Sequence, residues 1–203
     1  MAKKEEKTEE KSIEEKYIKA GKILLKAKEN ALKRIKPGQK LLEIAEKIEA
    51  DIVEMGGLPA FPVNLSINET AAHFTPAFND ELVLNEKGLL KVDLGAHIDG
   101  FIADAAFSIN PSNDFAKLIE ASEKALENAL ASVKQGATIG KIGEEIEKTI
   151  KSYGFNPVQN LTGHELGEYQ QHAGISIPNI GRNDERKLEA GHAYAIEPFA
   201  TDG

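Results

Sequence analysis

The sequence predicts an α+β protein made of two copies of a helix–helix–strand unit, each followed by further strands. Three observations support this. Helical periodicity and strand-like runs alternate in the order helix, helix, strands, twice over. A shift of 98 positions brings Glu29-Asn30-Ala31-Leu32 onto Glu127-Asn128-Ala129-Leu130, Gly38 onto Gly136 and Ile44 onto Ile142. It also brings Ile48-Glu49 onto Ile146-Glu147, Ile52 onto Ile150, Gly56 onto Gly154 and Pro59 onto Pro157. Generic helix composition matches a few letters by chance, but not core positions and chain breakers together. Finally, two apolar runs, 91–98 and 101–108, are joined by Asp99-Gly100, the strongest short hairpin signal.

In chain order, residues 1–11 form a Lys/Glu run read as a disordered, solvated tail, and residues 12–203 form the folded domain. Ser12 and Glu15 make a capping box, so a helix is expected from 12 to about 36, ended by Pro37-Gly38 and burying Ile18, Ile23, Leu24 and Ala27. A second helix is expected over 40–54, with Ile44, Ile48, Ile52 and Met55 on one face and Gly56-Gly57 at its end. Residues 59–67 are extended and apolar, and a loop runs through His73-Phe74 to the hairpin, which Pro111 closes. Helices return at about 114–134 and 139–153. The last segments are strand-like and carry His164, His172 and Glu197.

Composition narrows the classes. The chain has 203 residues, 41% of them hydrophobic, enough for a sizeable core. It has no cysteine, which excludes disulfides and thiolate metal sites and suggests a reducing compartment, the cytoplasm. No apolar run is long enough for a membrane span. A net charge of −8 argues against direct nucleic-acid binding.

The hairpin carries the chemistry. With Asp99-Gly100 as the loop, Gly95 faces Asp104, so Asp93 and Asp104 are diagonal neighbours on one face, roughly 7–8 Å apart. A lone strand aspartate is more often a turn or solvent-facing residue. Two on one face, set among Val92, Leu94, Ile102 and Phe107, repel unless a cation neutralises them. Asp99 is read as a turn residue alone. Glu197, within Tyr194-Ala195-Ile196-Glu197-Pro198-Phe199, has no obvious route to water, and Pro198 marks a strand end or bulge that aims it. His164-Glu165 is not a helical zinc-protease motif, because Glu168 stands where the second histidine belongs. Carboxylates and a histidine without sulfur suit a dinuclear centre of Co, Mn, Fe or Zn.

Several segments, in this order, resemble the methionine aminopeptidases of the second type in their archaeal form. They are Ala60-Phe61-Pro62-Val63-Asn64-Leu65-Ser66-Ile67-Asn68, Val92-Asp93-Leu94-Gly95-Ala96-His97-Ile98-Asp99-Gly100, Gly163-His164, Gln171-His172-Ala173-Gly174, Ile177-Pro178-Asn179 and Ala195-Ile196-Glu197-Pro198-Phe199-Ala200-Thr201. The resemblance implies the "pita-bread" fold with two pseudo-symmetric halves and removal of the initiator methionine from nascent chains. It implies Asp93, Asp104, His164 and Glu197 as ligands of two divalent ions, with Glu197 also the general base. It implies His73 and His172 as catalytic residues that bind substrate, and Phe61 as part of the methionine pocket. Expected partners are the N-terminal methionine of nascent peptides and, transiently, the ribosome, with the protein a monomer. Thr162 and Gln171 depart from the residues common in the family. The family also has a fifth ligand, a late glutamate after a helical insertion, and no glutamate follows Glu197. The sequence is therefore expected to be a piece of a longer protein, incomplete at the C-terminal side of the fold, and weakly active and poorly stable as it stands.

Two other readings compete. A proline-specific peptidase shares the fold, but the Gly95-Ala96-His97-Ile98-Asp99-Gly100 hairpin favours the methionine enzyme. A non-catalytic relative binding ribosomes, RNA or proteins would lose ligands and add basic segments, whereas four of five ligands stand here and the charge is acidic.

Overall fold

The computed structural model describes residues 2–134 and 136–203. They divide into two compact units, one of residues 1–112 with 167–171, the other of residues 113–166 with 172–203.

The first unit opens with helix α1 (Ala2–Arg34) and helix α2 (Leu41–Glu54). Helix α1 begins well before the capping box at Ser12, which is therefore interior to the helix and caps nothing. Lys, Glu and Ala are all good helix formers, so propensity extends the element past the cap signal. Ile23, Leu24, Ala27 and Ala31 of α1 and Ile44, Ile48 and Ile52 of α2 form one stripe each and are buried. Ile18, expected in that stripe, is 48% exposed.

Those stripes cover one face of a four-stranded antiparallel sheet. Strand β3 (Leu90–Ile98) pairs along its length with β4 (Phe101–Ile109), and its other edge takes β1 (Leu58–Pro59) and β2 (Asn64–Ile67). Strand alternation sorts the side chains. Leu90, Val92, Leu94 and Ala96 of β3, with Ala103, Ala105 and Phe107 of β4, enter the helix-covered core. Lys91, Asp93, Gly95 and His97, with Ile102, Asp104, Ala106 and Ser108, share the opposite face. The aspartates thus do not sit among Val92, Leu94 and Phe107, as the linear sequence suggested; of the expected apolar neighbours Ile102 alone shares their face.

The second unit repeats the plan. Helix α3 (Ala116–Ser132) buries Ala121, Ala125 and Ala129, and α4 (Ile139–Ser152) buries Ile139, Ile142, Ile146 and Ile150. The small side chains let α3 lie close against α4. Strands β5 (Asn156–Pro157) and β9 (Ala200–Thr201) pair, and β6 (Thr162–Gly167) lies between β7 (Gln170–Pro178) and β8 (Ala193–Ala195). The 98-residue repeat extends to backbone detail. The bridge Lys40↔Val83 has its counterpart in Thr138↔Lys187. The N–H of Leu41 donates to Leu82 O and that of Ile139 to Arg186 O. Gly38 and Gly136 have φ of +86° and +80°, Gly56 and Gly154 +82° and +85°. Glycine is needed at these helix ends because other residues strain there.

Glu197 lies between β8 and β9, outside any strand, rather than within the strand its apolar neighbours suggested. Pro198 next to it has no N–H to give a ladder. Among the described residues, no helix is long and apolar enough to cross a membrane.

Candidate functional site

In the first unit the donors are set by the turn. Asp99 and Gly100 have φ of +50° and +86°, positive at both central positions of the hairpin loop. Such primed turns match the strand twist and fix the register. Gly95 consequently pairs with Asp104, and Asp93 with Ala106. Asp93 and Asp104 are therefore diagonal neighbours on one face, both half-buried. Gln171 donates from Nε2 to Asp104 Oδ2 at 3.5 Å. Asp99 does more than turn the chain, since its Oδ2 lies 3.1 Å from Lys16 Nζ.

Phe61 reaches the same face. A Cβ built on Gly95 would lie 2.4 Å from Phe61 Cε1, so the ring occupies the space a side chain there would need. This puts an apolar ring beside the row that holds Asp93 and Asp104. Also on the face, Lys91 Nζ donates to Asn68 O at 2.6 Å, and burial lowers its pKa to about 8. His73 is exposed at the end of the loop after β2, with φ of +65°. Its neighbour Phe74 accepts from Leu65 N–H at 2.7 Å, which ties that loop end back to β2.

In the second unit, β6 places His164 opposite Ala195 of β8. The strands come close at Gly163, where a Cβ would lie 2.4 Å from Ala195 O. His164 is 5% exposed, and its Nε2 lies 2.9 Å from Glu197 Oε1. That contact is short enough for an ion pair, yet Oε1 is buried and accepts no hydrogen bond. The two atoms are thus close without a hydrogen bond to Oε1. On its other side His164 Nδ1 lies 3.3 Å from Glu165 O. A carbonyl can only accept, so this contact favours a proton on Nδ1. Ring-nitrogen and carboxylate donors, with no sulfur, suit Zn, Mn, Fe or Co. The His172 ring packs edge-on to His164 with centroids 4.4 Å apart.

Three supporting residues, Asn179, Glu165 and His192, were given no role in the sequence reading. Asn179 is fully buried, donates from Nδ2 to Leu161 O at 2.8 Å and accepts from Phe199 N–H at 3.4 Å. It thereby ties the segment after Glu197 to the chain leading into β6. Glu165 binds His192 Nδ1 through Oε1 at 2.6 Å and Ile175 N–H through Oε2 at 3.1 Å. These partners lie 10 and 27 residues away in sequence, beyond the reach of periodicity or spacing. The asparagine closing Ile177-Pro178-Asn179 was visible as part of a motif, but nothing local showed what it would bind.

The sequence is 53% identical to the methionine aminopeptidase of Pyrococcus horikoshii over 93% of this chain and 64% of that protein. The chain thus spans about 64% of the length of the curated relative it matches. The methionine aminopeptidase of Thermotoga maritima superposes with a TM-score of 0.85 at 28% identity, covering 94% of this chain and 80% of that one. The prolidase of Pyrococcus furiosus gives 0.80 at 26% identity, covering 93% and 56%. The fold is the pita-bread fold those structures share. Residues 15–203 match the pattern of Metallopeptidase family M24. The chain belongs to that family.

Proposed function

We propose that this chain is the catalytic part of a methionine aminopeptidase, which removes the N-terminal initiator methionine from nascent proteins in the cytoplasm. The observation that carries the reading is the pair of metal-type donors, His164 Nε2 and the buried Glu197 Oε1, 2.9 Å apart. Asp93 and Asp104, diagonal on one strand face, are the further carboxylates. In this reading Asp93, Asp104, His164 and Glu197 hold two divalent ions drawn from Co, Mn, Fe or Zn. Such ions supply Lewis acidity towards the peptide carbonyl and lower the pKa of the attacking water.

The residues of the chain do the rest. Glu197 takes the proton of the attacking water and returns it to the leaving amine. His73 and His172 bind the substrate, donating to the oxygen that becomes negative as the carbonyl is attacked. Phe61 lines an apolar pocket for the methionine side chain, where its ring is held against Gly95. The protein acts as a monomer, with transient ribosome contact placing it at emerging N-termini.

Hydrolysis of a Met-Ala-Ser peptide tests this. With Mn or Co supplied, the expected result is release of free methionine, lost by at least about 100-fold in Glu197→Gln. An Xaa-Pro dipeptide is expected to be cut far more slowly. Faster turnover of the Xaa-Pro peptide, or full activity in Glu197→Gln, would overturn the assignment.

A further inference from the structure

We propose that Ser66 and Asn68 are positioning residues that clamp the loop carrying His73, Ser66 by fixing the peptide that follows that histidine. The inference rests on the reading of His73 as a donor to the substrate and extends it to two residues of no assigned role.

The loop leaves the sheet at the end of β2 and returns to the edge of the same strand. At the departing end the Asn68 main chain turns into the left-handed region, with φ of +50°. Its side chain then continues the ladder: Oδ1 accepts the Leu89 N–H at 2.9 Å, while the Asn68 N–H donates to Leu89 O at 2.9 Å. The Asn68 carbonyl accepts from Lys91 Nζ at 2.6 Å. Asparagine suits this place because it visits that backbone region more readily than most residues and its side chain bonds to main-chain groups.

At the returning end two bonds hold neighbouring peptides. The Leu65 N–H donates to Phe74 O at 2.7 Å, which fixes the peptide after Phe74. The Phe74 N–H belongs to the peptide between His73 and Phe74, and it donates to Ser66 Oγ at 3.4 Å. The two soft dihedrals of Phe74 lie between these peptides, so the Leu65 bond alone leaves the peptide after His73 free to turn. Ser66 removes that freedom. It stands opposite Lys91 in the β2–β3 register and is 1% exposed, so its hydroxyl is presented from a paired strand. His73 itself has φ of +65°, a sparsely populated conformation that persists where the surroundings impose it. The Ser66 bond is one such restraint, placed directly beside an exposed histidine.

Hydrogen exchange and peptide kinetics on the whole chain test this. In Ser66→Ala the Phe74 amide is expected to exchange at least about 10-fold faster relative to that of Leu65, because its acceptor is gone while the strand pairing stays. With a Met-Ala-Ser peptide, Ser66→Ala is expected to lower kcat about 10-fold with KM changed less than about twofold, since a misplaced His73 weakens the donor to the oxygen that becomes negative. The same substitution made on His73→Gly, which tolerates the left-handed backbone, should cost nothing further. A serine that served only the fold would lower both backgrounds alike. Asn68→Gly, which keeps the turn and deletes Oδ1, should lower kcat in the same way, and Asn68→Asp, which keeps Oδ1, should recover most of it. Melting temperatures verify that each variant is folded under the assay conditions. An equal loss in both His73 backgrounds, or faster Phe74 exchange with kcat unchanged, would overturn the positioning role alone. No methionine release by the wild-type protein, or full activity in His73→Gly, would overturn the reading of His73 and this inference with it.

Discussion

The Phe61 ring stands where a side chain on Gly95 would have to be, with Cε1 2.4 Å from that missing Cβ. Gly95 pairs with Asp104 and lies two residues after Asp93, so one absent methyl group admits an aromatic ring beside both carboxylates. Gly95→Ala is expected to displace Phe61, destabilise the fold by about 1–3 kcal/mol and lower kcat/KM on methionyl peptides more than on the fold alone. Chemical denaturation and peptide kinetics measure the two effects. Phe61→Ala in the same chain should recover the stability and not the activity.

The ion pairs of the buried Asp51 make the stability of the first unit depend on acid. Asp51, 5% exposed, binds Arg34 at 2.9 Å and Lys47 at 3.2 Å. Burial pushes its carboxyl up, but Arg34 and Lys47 together outweigh that and hold it below the ordinary value of 3.8. A carboxyl depressed in the folded state contributes stability that is complete above its unfolded pKa, about 3.9, and is lost as pH falls through the folded one. Asp51→Asn is expected to cost about 1–3 kcal/mol at pH 7, because Arg34 and Lys47 lose their shared counter-ion. It should also flatten the fall in stability below about pH 4. Urea titrations of both proteins between pH 7 and 3 check this.

Asn179 joins the two stretches that present the second unit's donors. Asn179→Ala leaves the Leu161 carbonyl and the Phe199 N–H unpaired in a fully buried place. The expected cost is about 1–3 kcal/mol. Mn(II) affinity should fall as well, because Glu197 lies two residues before Phe199 and loses its fixed approach. Asn179→Asp, which keeps an acceptor for Phe199 N–H and loses the donor to Leu161 O, should rank between wild type and alanine in melting temperature.

Cation binding should also stabilise the protein. On the proposed reading the unfolded chain binds no cation, so Mn(II) at about 100 times its Kd is expected to add about 2.7 kcal/mol, a rise of several degrees in melting temperature. A chelator should reverse the rise, and His164→Ala should abolish it. Thermal melts with and without metal show this directly.

Much of the arrangement could be read from the chain because its signals are local. Asp99-Gly100 fixes a register residue by residue, so Gly95 opposite Asp104 follows from two turn residues. The glycines and isoleucines that recur 98 positions apart mark helix ends and core stripes, and they keep those places in both units. Other features escaped because they depend on contacts distant in sequence or on competing local preferences. Ser12-Glu15 is a sound cap signal overridden by a helix-forming Lys/Glu run. Val92, Leu94 and Phe107 neighbour the aspartates in sequence, but strand alternation turns them into the core. Glu197 sits in an apolar run that breaks between two short strands. Partners of Glu165 and Asn179 come from segments 10 to 27 residues away, and no spacing announces them.

The central claim is that Asp93, Asp104, His164 and Glu197 serve as ligands of divalent cations, and calorimetric titration of Mn(II) into wild-type protein and Asp104→Ala tests it most directly. The account predicts saturable uptake by the wild type and at least about 100-fold weaker binding by Asp104→Ala, a difference of about 2.7 kcal/mol. Equal uptake by the two proteins would contradict it.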